Sequence, residues 1–293
     1  MSCVIAIATT GRPRIVADTV NWLLTDPKKM PDRIVLCGAS EKDVQTSQLE
    51  MNDKHLNFII SEKGLTRQRN ALLDACADAD FVIFLDDDFL VADGFIDSVK
   101  ELFECNPDVV MATGNVLADG IKGPGLGFVE GQALLTKRPS ADNPMLSDVY
   151  NGYGCNMAVR MAPILKNELR FDEKLPLYGW LEDVDFSRQL AKFGRIVRSS
   201  QMRGVHLGTK QGRTNGVRLG YSQIANPTYL ISKQSMRRDR AVSMMLRNLG
   251  SNFVRSAAPE PWVDRRGRLK GNLLAIADLM RGRLHPERVL NFP

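Results

Sequence analysis

The sequence predicts an α/β protein in which helices flank a mostly parallel central sheet and a helical extension follows at the C-terminus. Over about the first 90 residues, short apolar runs alternate with segments of helical periodicity, an order typical of a parallel sheet with right-handed crossovers. The apolar run 81–85 leads directly into Asp86, Asp87 and Asp88. Beyond Asn215 the chain has the pattern of helices with basic faces.

The N-terminal part of the chain supplies most of the predicted sheet. Its apolar runs have no polar face, which is typical of strands that are buried on both sides. Strands are predicted at 4–8, 33–37, 56–60, 81–85 and 109–116. Helices are predicted at 14–24, at 93–103 and from Gly64 onward, the last with Thr66 as its N-cap.

The rest of the chain is richer in turns. Glycine recurs between residues 120 and 131, which predicts a flexible loop or an irregular hairpin. A glycine-containing turn at 152–157 leads into a strand or a helix, and a loop covers 171–179. The remaining predictions are a helix that begins within 180–186 and ends at Gly194, a short strand at 196–197, a loop that holds His206, and basic helices at about 217–232, 236–254 and 269–282.

The length, the cysteines and the N-terminus bound the class of protein. A chain of 293 residues suffices for one domain with an appendage. The five cysteines lie far apart without a CxxC pair, which indicates reduced, buried thiols in a cytosolic protein rather than disulfides or zinc. The segment before Gly11 lacks the basic residues of a signal peptide, and no apolar run is long enough to span a bilayer. We therefore expect a cytoplasmic protein; if it works at a membrane, it lies peripherally on the inner face of the plasma membrane.

Positive charge is concentrated at the C-terminus. Residues 233–293 contain 13 Lys and Arg against 5 Asp and Glu, a net charge of +8, whereas the rest of the chain carries −3. Apolar stripes bordered by arginine leave two roles open for these helices. They pack on the rest of the chain or on a second copy in a homo-oligomer, or they lie on an anionic cytoplasmic leaflet. A nucleic-acid partner is not expected, because aromatic residues are sparse there, with only Phe253 and Trp262 in the middle of the segment.

Asp86 and Asp88 form the first candidate site. An unpaired buried carboxylate costs on the order of several kcal/mol, so the acidic triplet is expected at the carboxyl end of its strand, where ligands bind in open α/β sheets. Two residues apart in an extended segment, Asp86 and Asp88 point to the same side and suit a hard divalent cation and a diphosphate. A solvated acidic turn is the alternative. Neither a GxGxxG sequence nor a Walker lysine loop follows the first strand.

Glu182 and Asp183 form a second acidic group, at the start of a predicted helix, and His206 follows about 20 residues later. The helix dipole favours an ionised carboxylate at that position, which is the form that a general base needs. A neutral imidazole beside two carboxylates is typical of a Mn²⁺ site. Ordinary helix N-terminal charge and a surface histidine are the alternatives.

Five short motifs, in order from residue 4 to about 208, resemble those of family-2 glycosyltransferases with the GT-A fold. Each motif is short, and their order along the chain carries the resemblance. They are Thr-Thr-Gly-Arg-Pro at 9–13 after the first strand, Gly64 followed by Arg69-Asn70, Leu-Asp-Asp-Asp at 85–88, which matches the DxD motif, Gly-Cys-Asn-Met-Ala at 154–158, and Glu182-Asp183 with Phe186 and Arg-Gln-Leu at 188–190, which resembles the ED motif.

The resemblance implies a GT-A catalytic domain at 1–215, with a nucleotide-sugar half at about 1–118 and an acceptor half at about 119–215, before a basic helical region at 216–293. It implies metal-dependent, inverting transfer of a hexose or related sugar. The donor would be a nucleotide-sugar, with a UDP-sugar as the first choice, and the cofactor Mn²⁺ or Mg²⁺. The acceptor would be a saccharide or lipid-linked saccharide, as in bacterial polysaccharide or glycolipid assembly.

The resemblance also implies roles for individual residues. Asp88, with Asp86 and His206, would bind the metal, and Asp183 would be the general base, with Asp185 as the alternative. Lys210 and Arg213 would close over the diphosphate. The residues expected to bind the donor or substrate are Thr9, Arg12, Ser40, Arg69, Asp86, Asp87, Asn156, Trp180 and Glu182.

One position departs from the family, and other classes of protein stay in competition. Where the family's second strand often ends in an aspartate that contacts the base, this chain has Cys37, which leaves the base open. A nucleotidyltransferase, or another metal enzyme that binds nucleoside diphosphates, is the alternative, although residues 9–14 are poor in the glycine such a loop needs. A phosphatase would use Asp86 and Asp88, but Glu182 and Asp183 would then have no role.

Overall fold

A computed structural model describes residues 1–43, 49, 54–137, 145–210 and 215–292. Within these residues, nine strands form a single sheet. The strands are β1 (Cys3–Thr9), β2 (Arg33–Gly38), β3 (Leu56–Ile60), β4 (Phe81–Asp86), β5 (Phe89–Val91), β6 (Val109–Asp119), β7 (Leu146–Asp148), β8 (Asn156–Arg160) and β9 (Arg195–His206).

The sheet is parallel on one side and mixed on the other. Its order is β3-β2-β1-β4-β8-β6-β9-β5, with β7 beside β9. The first four strands in this order run parallel, whereas β8 is antiparallel to both of its neighbours. Because β1, β2 and β4 point the same way, the turns after them meet at one carboxyl edge, and both acidic groups lie there.

Helices cover both faces of the sheet, so the predicted α/β class is confirmed. Val20 and Phe95, from α1 and α3, pack on one face, and Leu72 and Phe186, from α2 and α6, pack on the other. The helices are α1 (Pro13–Leu24), α2 (Leu65–Ala75), α3 (Phe95–Cys105), α4 (Phe128–Lys137), α5 (Met161–Lys166), α6 (Glu182–Leu190), α7 (Gly216–Ser232), α8 (Arg238–Arg255) and α9 (Arg265–Met280).

The prediction of a loop around His206 is wrong. His206 is the last residue of the 12-residue strand β9, of which the sequence indicated only residues 196–197. Arg198 and Arg203 interrupt the apolar pattern, but pairing with β5, β6 and β7 forms the strand nonetheless. Long-range ladder hydrogen bonds outweigh the local pattern here.

Three further differences concern local structure. Residues 120–131 are not a continuous loop, because they include a 3-10 turn at Gly120–Lys122 and the start of α4. The short strand β5, directly after the acidic triplet, was not predicted. Gly64, with φ of 143°, occupies the N-cap of α2 instead of Thr66, whose hydroxyl donates to Leu175 O at 3.2 Å. A φ in this range favours glycine.

The C-terminal helices divide into an inner and an outer group. Leu230 of α7 packs with Leu175, Leu181 and Val184 beside α6, so part of this region is docked on the sheet domain. By contrast, α8 and α9 expose large apolar side chains, with Leu246 64 % and Met280 78 % exposed. Among the described residues, no helix is long and apolar enough to cross a membrane.

The five cysteines are free thiols. Four are buried, and Cys105, at the end of α3, is exposed. Burial raises the pKa of the Cys3 and Cys76 thiols to about 12.

Candidate active site

The acidic triplet lies where β4 leaves the sheet. β4 ends at Asp86, and the chain turns through Asp87 and Asp88 before β5 begins. Asp86 and Asp88 are joined by His206, from the end of β9, in a cluster whose three ligand atoms all lie within 4.8 Å of one another. His206 Nε2 is 3.3 Å from Asp88 Oδ1 and 3.6 Å from Asp86 Oδ2.

His206 is held from its other nitrogen by Asp119, at the end of β6. Nδ1 lies 2.9 Å from Asp119 Oδ1, and the hydroxyl of Tyr153 donates to Asp119 Oδ2 at 3.2 Å. Burial alone would lower the pKa of His206, but hydrogen bonds to Asp119 and Asp88 and the surrounding negative charge raise it to about 10. His206 Nδ1 donates its proton in the hydrogen bond to Asp119, so Nε2 faces the two carboxylates.

Asp88 is fixed by the backbone as well. Its Oδ2 accepts a 2.8 Å hydrogen bond from Thr209 N. Burial opposes ionisation, yet His206, Arg12 and the Thr209 amide together hold the pKa of Asp88 well below its ordinary value. Asp88 therefore favours the ionised form although it is only 1 % exposed.

Asp87 points away from the cluster and into the protein. It is fully buried, accepts a hydrogen bond from Thr9 Oγ1 at 2.7 Å, and pairs with the Arg12 guanidinium at 2.8 Å. Burial raises the pKa of Asp87, and Arg12 opposes the rise. The structure thus engages Thr9, Arg12 and Asp87 with one another.

Glu182 is tied to Arg69, which is 2 % exposed. Arg69 Nη1 lies 2.5 Å from Glu182 Oε1, and Nη2 lies 3.5 Å from Asp86 Oδ1 and donates to Gly154 O at 2.8 Å. A Cβ atom on Gly154 would sit 3.0 Å from Glu182 Oε1, so glycine permits this close approach. Burial raises the pKa of Glu182 to about 8 despite the opposing charge of Arg69. Arg69 therefore links the two acidic groups.

Asp183 is half-buried at the start of α6. Its Oδ2 accepts a 3.1 Å hydrogen bond from Gly154 N. The next residue, Cys155, accepts a 3.2 Å hydrogen bond from Asp86 N through its carbonyl, so the turn at 154–155 connects Asp183 to the end of β4. Burial raises the pKa of Asp183, while the Gly154 amide opposes the rise.

Asp185 is not placed to act as the alternative base. It is fully buried, and its Oδ2 lies 2.7 Å from Lys233 Nζ and accepts from Gln189 Nε2 at 2.9 Å. Through this ion pair, Asp185 holds α6 against Lys233 of the C-terminal region.

The other predicted site residues lie around this centre. Asn156 is fully buried on β8, where its Oδ1 accepts from Thr113 Oγ1 at 2.7 Å. Trp180 is half-buried against the apolar cluster of α7. Ser40 is exposed after β2, and its amide donates to Asp43 Oδ2 at 2.8 Å. Lys210 Nζ donates to Gly120 O and Ile121 O, and Arg213 lies outside the described residues.

Sequence reasoning missed two buried or half-buried carboxylates near the site. Asp119 is the last residue of β6, three residues beyond the predicted end of that strand. The length of the apolar run was the one sequence signal for this position. Asp43 is 6 % exposed and accepts from Gly11 N at 2.6 Å as well as from Ser40 N. It therefore links the turns after β1 and β2, whereas Cys37, the position noted from the sequence, is fully buried.

The Asp86–Asp88–His206 cluster fits a divalent metal ion. Two carboxylates and one imidazole are a usual donor set for Mn²⁺, and carboxylates alone also suit Mg²⁺. The contact between His206 Nδ1 and Asp119 is the outer-shell support that metal-binding histidines generally have.

Similarity to solved structures defines the fold. No protein-family model matches the chain, and no curated protein is similar to it in sequence. Among solved structures, the chain is similar to S. aureus TarS 1–349 in complex with UDP-GlcNAc, with a TM-score of 0.60 and 14 % identity over 99 % of this chain and 83 % of that chain. It is also similar to GalNAc-T7 with UDP, GalNAc and Mn²⁺, with a TM-score of 0.55 and 13 % identity over 100 % of this chain and 56 % of that chain. The chain therefore has the GT-A glycosyltransferase fold.

Proposed function

We propose that the protein is a metal-dependent, inverting glycosyltransferase that moves a hexose or related sugar from a UDP-sugar to a hydroxyl of a saccharide or lipid-linked saccharide. Its place would be in bacterial-type polysaccharide or glycolipid assembly. The observation that carries this proposal is the Asp86–Asp88–His206 cluster, at the carboxyl edge of a GT-A fold and connected through the turn at 154–155 to Asp183. The UDP-GlcNAc of the TarS structure and the UDP and Mn²⁺ of the GalNAc-T7 structure support the choice of donor and cofactor.

Each of these groups has a chemical task in such a transfer. A Mn²⁺ or Mg²⁺ ion held by Asp86, Asp88 and His206 would stabilise the negative charge of the departing diphosphate. Asp119 keeps Nε2 of His206 directed at the cluster. Asp183 accepts the proton of the attacking acceptor hydroxyl, and a single carboxylate suffices because a direct displacement needs no protein nucleophile. Such a displacement inverts the anomeric configuration.

The proposal is tested by calorimetry and by the stereochemistry of the product. UDP should bind with Mn²⁺ and lose affinity when the metal is chelated. A panel of UDP-sugars with saccharide acceptors should then yield a glycoside whose anomeric proton, observed by NMR, has the configuration opposite to that of the donor. UDP binding that does not depend on a divalent metal, or a product with retained configuration, contradicts the proposal. Release of pyrophosphate from a nucleoside triphosphate would favour the alternative, a nucleotidyltransferase.

We also propose that the outer C-terminal helices bring the enzyme to an anionic membrane. On α8 the exposed apolar residues Val242, Leu246 and Phe253 recur at helical spacing on one face. On α9 a groove is lined by Leu273, Leu274 and other residues, among them Arg266 and Lys270. Each basic residue near an anionic leaflet contributes about 1 kcal/mol. A second copy docked on this groove would bring its own Arg266 and Lys270 there, and these like charges would repel one another.

Sedimentation with lipid vesicles tests this attachment. The protein should sediment with vesicles that contain phosphatidylglycerol, be released by high salt, and stay in solution with neutral phosphatidylcholine. Leu246→Glu should weaken binding, whereas Leu165→Glu, at a leucine that is 45 % exposed on α5, should not. Equal binding to neutral vesicles, or self-association of the protein without lipid, contradicts the electrostatic attachment. The division into a catalytic domain at 1–215 and a basic helical region at 216–293 is part of the same proposal.

A further inference from the structure

The turn that leads into Glu182 and Asp183 has an unusual backbone. Two non-glycine residues, Leu177 with φ of 60° and Leu181 with φ of 74°, adopt the left-handed conformation on either side of Gly179. Leucine rarely adopts this conformation, because its side chain is crowded there. Such residues persist only where surrounding structure holds them, and they cluster at functional sites. Something outside the turn must therefore fix the start of α6.

One of the groups that fix the turn belongs to α7. Asn226 is 1 % exposed, and its Nδ2 donates to the carbonyl of Trp180 at 2.7 Å. This carbonyl lies between the two left-handed leucines, one residue before Leu181. Leu181 and Val184 in turn pack against Leu230 of α7. The side chain of Asn226 thus holds the peptide group from which α6 starts.

The second group is Lys233, directly after the end of α7. Its Nζ lies 2.7 Å from Asp185 Oδ2 and 2.7 Å from Asp172 Oδ2. Asp185 belongs to α6, and Asp172 precedes the strained turn, so one ammonium group joins the segments on both sides of the turn. Asp185 is fully buried, and removing one partner of a buried ion pair leaves an uncompensated charge that is strongly unfavourable. Tyr229 adds a 2.8 Å hydrogen bond to Asp172.

We infer that Asn226 and Lys233, in the basic C-terminal region, are positioning residues that set the place of Asp183 relative to the metal cluster. They act through Trp180 and Asp185 and touch neither donor nor acceptor. The inference rests on the proposed function, since it takes Asp183 as the base. The metal cluster is supported from β4, β6 and β9 instead, so loss of Lys233 should disturb acceptor activation and leave nucleotide binding intact.

The variant Lys233→Met tests this, with Lys233→Arg as the conservative partner and Lys100→Met as the matched control. Lys100 forms a 3.1 Å ion pair with Asp32, just before β2 and thus at the opposite edge of the sheet. In Lys233→Met we expect kcat for transfer to fall on the order of tenfold or more, because small misplacements of a catalytic group are costly. The affinity for UDP with Mn²⁺ should change less than about twofold. Lys233→Arg should restore most of kcat, and Lys100→Met should behave as the unchanged protein.

Hydrogen exchange measured by mass spectrometry gives a second readout that needs no activity. Peptides that cover 177–190 should exchange faster in Lys233→Met, and peptides that cover β1 and β4 should not. If the unchanged protein transfers no sugar, the proposed function fails while this readout still decides whether Lys233 fixes α6. Unchanged kcat, unchanged exchange at 177–190, or a parallel loss of UDP affinity overturns the inference. If Lys233→Met does not fold, Asn226→Ala is measured in the same way, with faster exchange at 177–190 and lower kcat as the expected result.

Discussion

Two acidic groups lie at the same edge of the sheet, and the protein neutralises them differently. In the group after β4, Asp86 and Asp88 face His206, while Asp87 turns inward to Arg12 at 2.8 Å. In the group that opens α6, the hydrogen bonds that Asp183 receives from the described part of the chain come from backbone amides, those of Gly154 and Val184. The other acids of that group have cationic partners.

The difference shows how neighbouring acids acquire separate roles. In the turn after β4, Thr9 and Arg12 hold Asp87 inward, so one of the three carboxylates becomes part of the packing while the other two face His206. On α6, Glu182 and Asp185 are three residues apart and share a helix face. Both are buried, and they pair with Arg69 and Lys233, respectively. Asp87, Glu182 and Asp185 each have an Arg or Lys nitrogen within 2.8 Å, whereas the Arg nitrogens beside Asp86 and Asp88 lie at 3.5 and 3.8 Å. The more loosely paired Asp86 and Asp88, together with Asp183, are the carboxylates proposed to meet metal or substrate.

The largest expected effect separates Asp88 from Asp87. Asp88→Ala should lower the affinity for UDP in the presence of Mn²⁺ by about 100-fold or more, since loss of a ligand should exceed the 10–100-fold cost of losing an outer-shell partner. Asp87→Asn should keep that affinity within a few-fold but destabilise the protein by roughly 1–3 kcal/mol, because Arg12 loses its carboxylate. Calorimetry and chemical denaturation measure the two effects. The reverse pattern would assign the metal to Asp87.

The second comparison separates Asp183 from Glu182. Asp183→Asn should lower transfer by a factor on the order of 10² or more, the usual scale for a general base, with unchanged UDP affinity and melting temperature. Glu182→Gln should instead lower the melting temperature, because the buried Arg69 loses its ionic partner. Steady-state kinetics and thermal unfolding of both variants provide the measurement. Normal transfer by Asp183→Asn would show that another group takes the proton.

A smaller effect concerns the support of His206. Asp119→Asn should weaken Mn²⁺ binding by about 10–100-fold, because an outer-shell carboxylate orients the imidazole. Tyr153→Phe, which removes only the 3.2 Å hydrogen bond to Asp119, is the milder control and should have a smaller effect. Electron paramagnetic resonance of free Mn²⁺ measures both affinities. Equal effects of the two variants would indicate that Asp119 acts only in packing.

The sequence was most informative where local pattern and structure agree. The apolar run of β4 and the acids after it predicted both the buried strand and the edge at which the site lies. The pattern failed at β9, because charged residues such as Arg198 concealed a strand that its neighbours in the sheet stabilise. Asp119 and Lys233 were not identified as parts of the site, since their partners, His206 and Asp185, are distant in sequence. Such pairings arise only when the chain is folded.

The smallest expected effect depends on pH and concerns Asp172, a partner of Lys233. Although burial opposes it, hydrogen bonds from Lys233 and Tyr229 lower the pKa of Asp172 in the folded protein. A depressed folded pKa contributes stability that is fully present above the unfolded value, about 3.9, and is lost as the pH falls through the folded value.

Asp172→Asn should therefore lower the free energy of unfolding by about 1 kcal/mol near neutral pH, a modest size because the pair is partly exposed. The difference from the unchanged protein should stay constant down to about pH 5 and then shrink as the acid protonates. Urea denaturation at a series of pH values measures it. Tyr229→Phe, which keeps the carboxylate and Lys233, should preserve most of the pH dependence. A difference that does not vary with pH would mean that the Asp172 carboxylate does not stabilise the fold through its charge, and that Lys233 holds α6 through Asp185 alone.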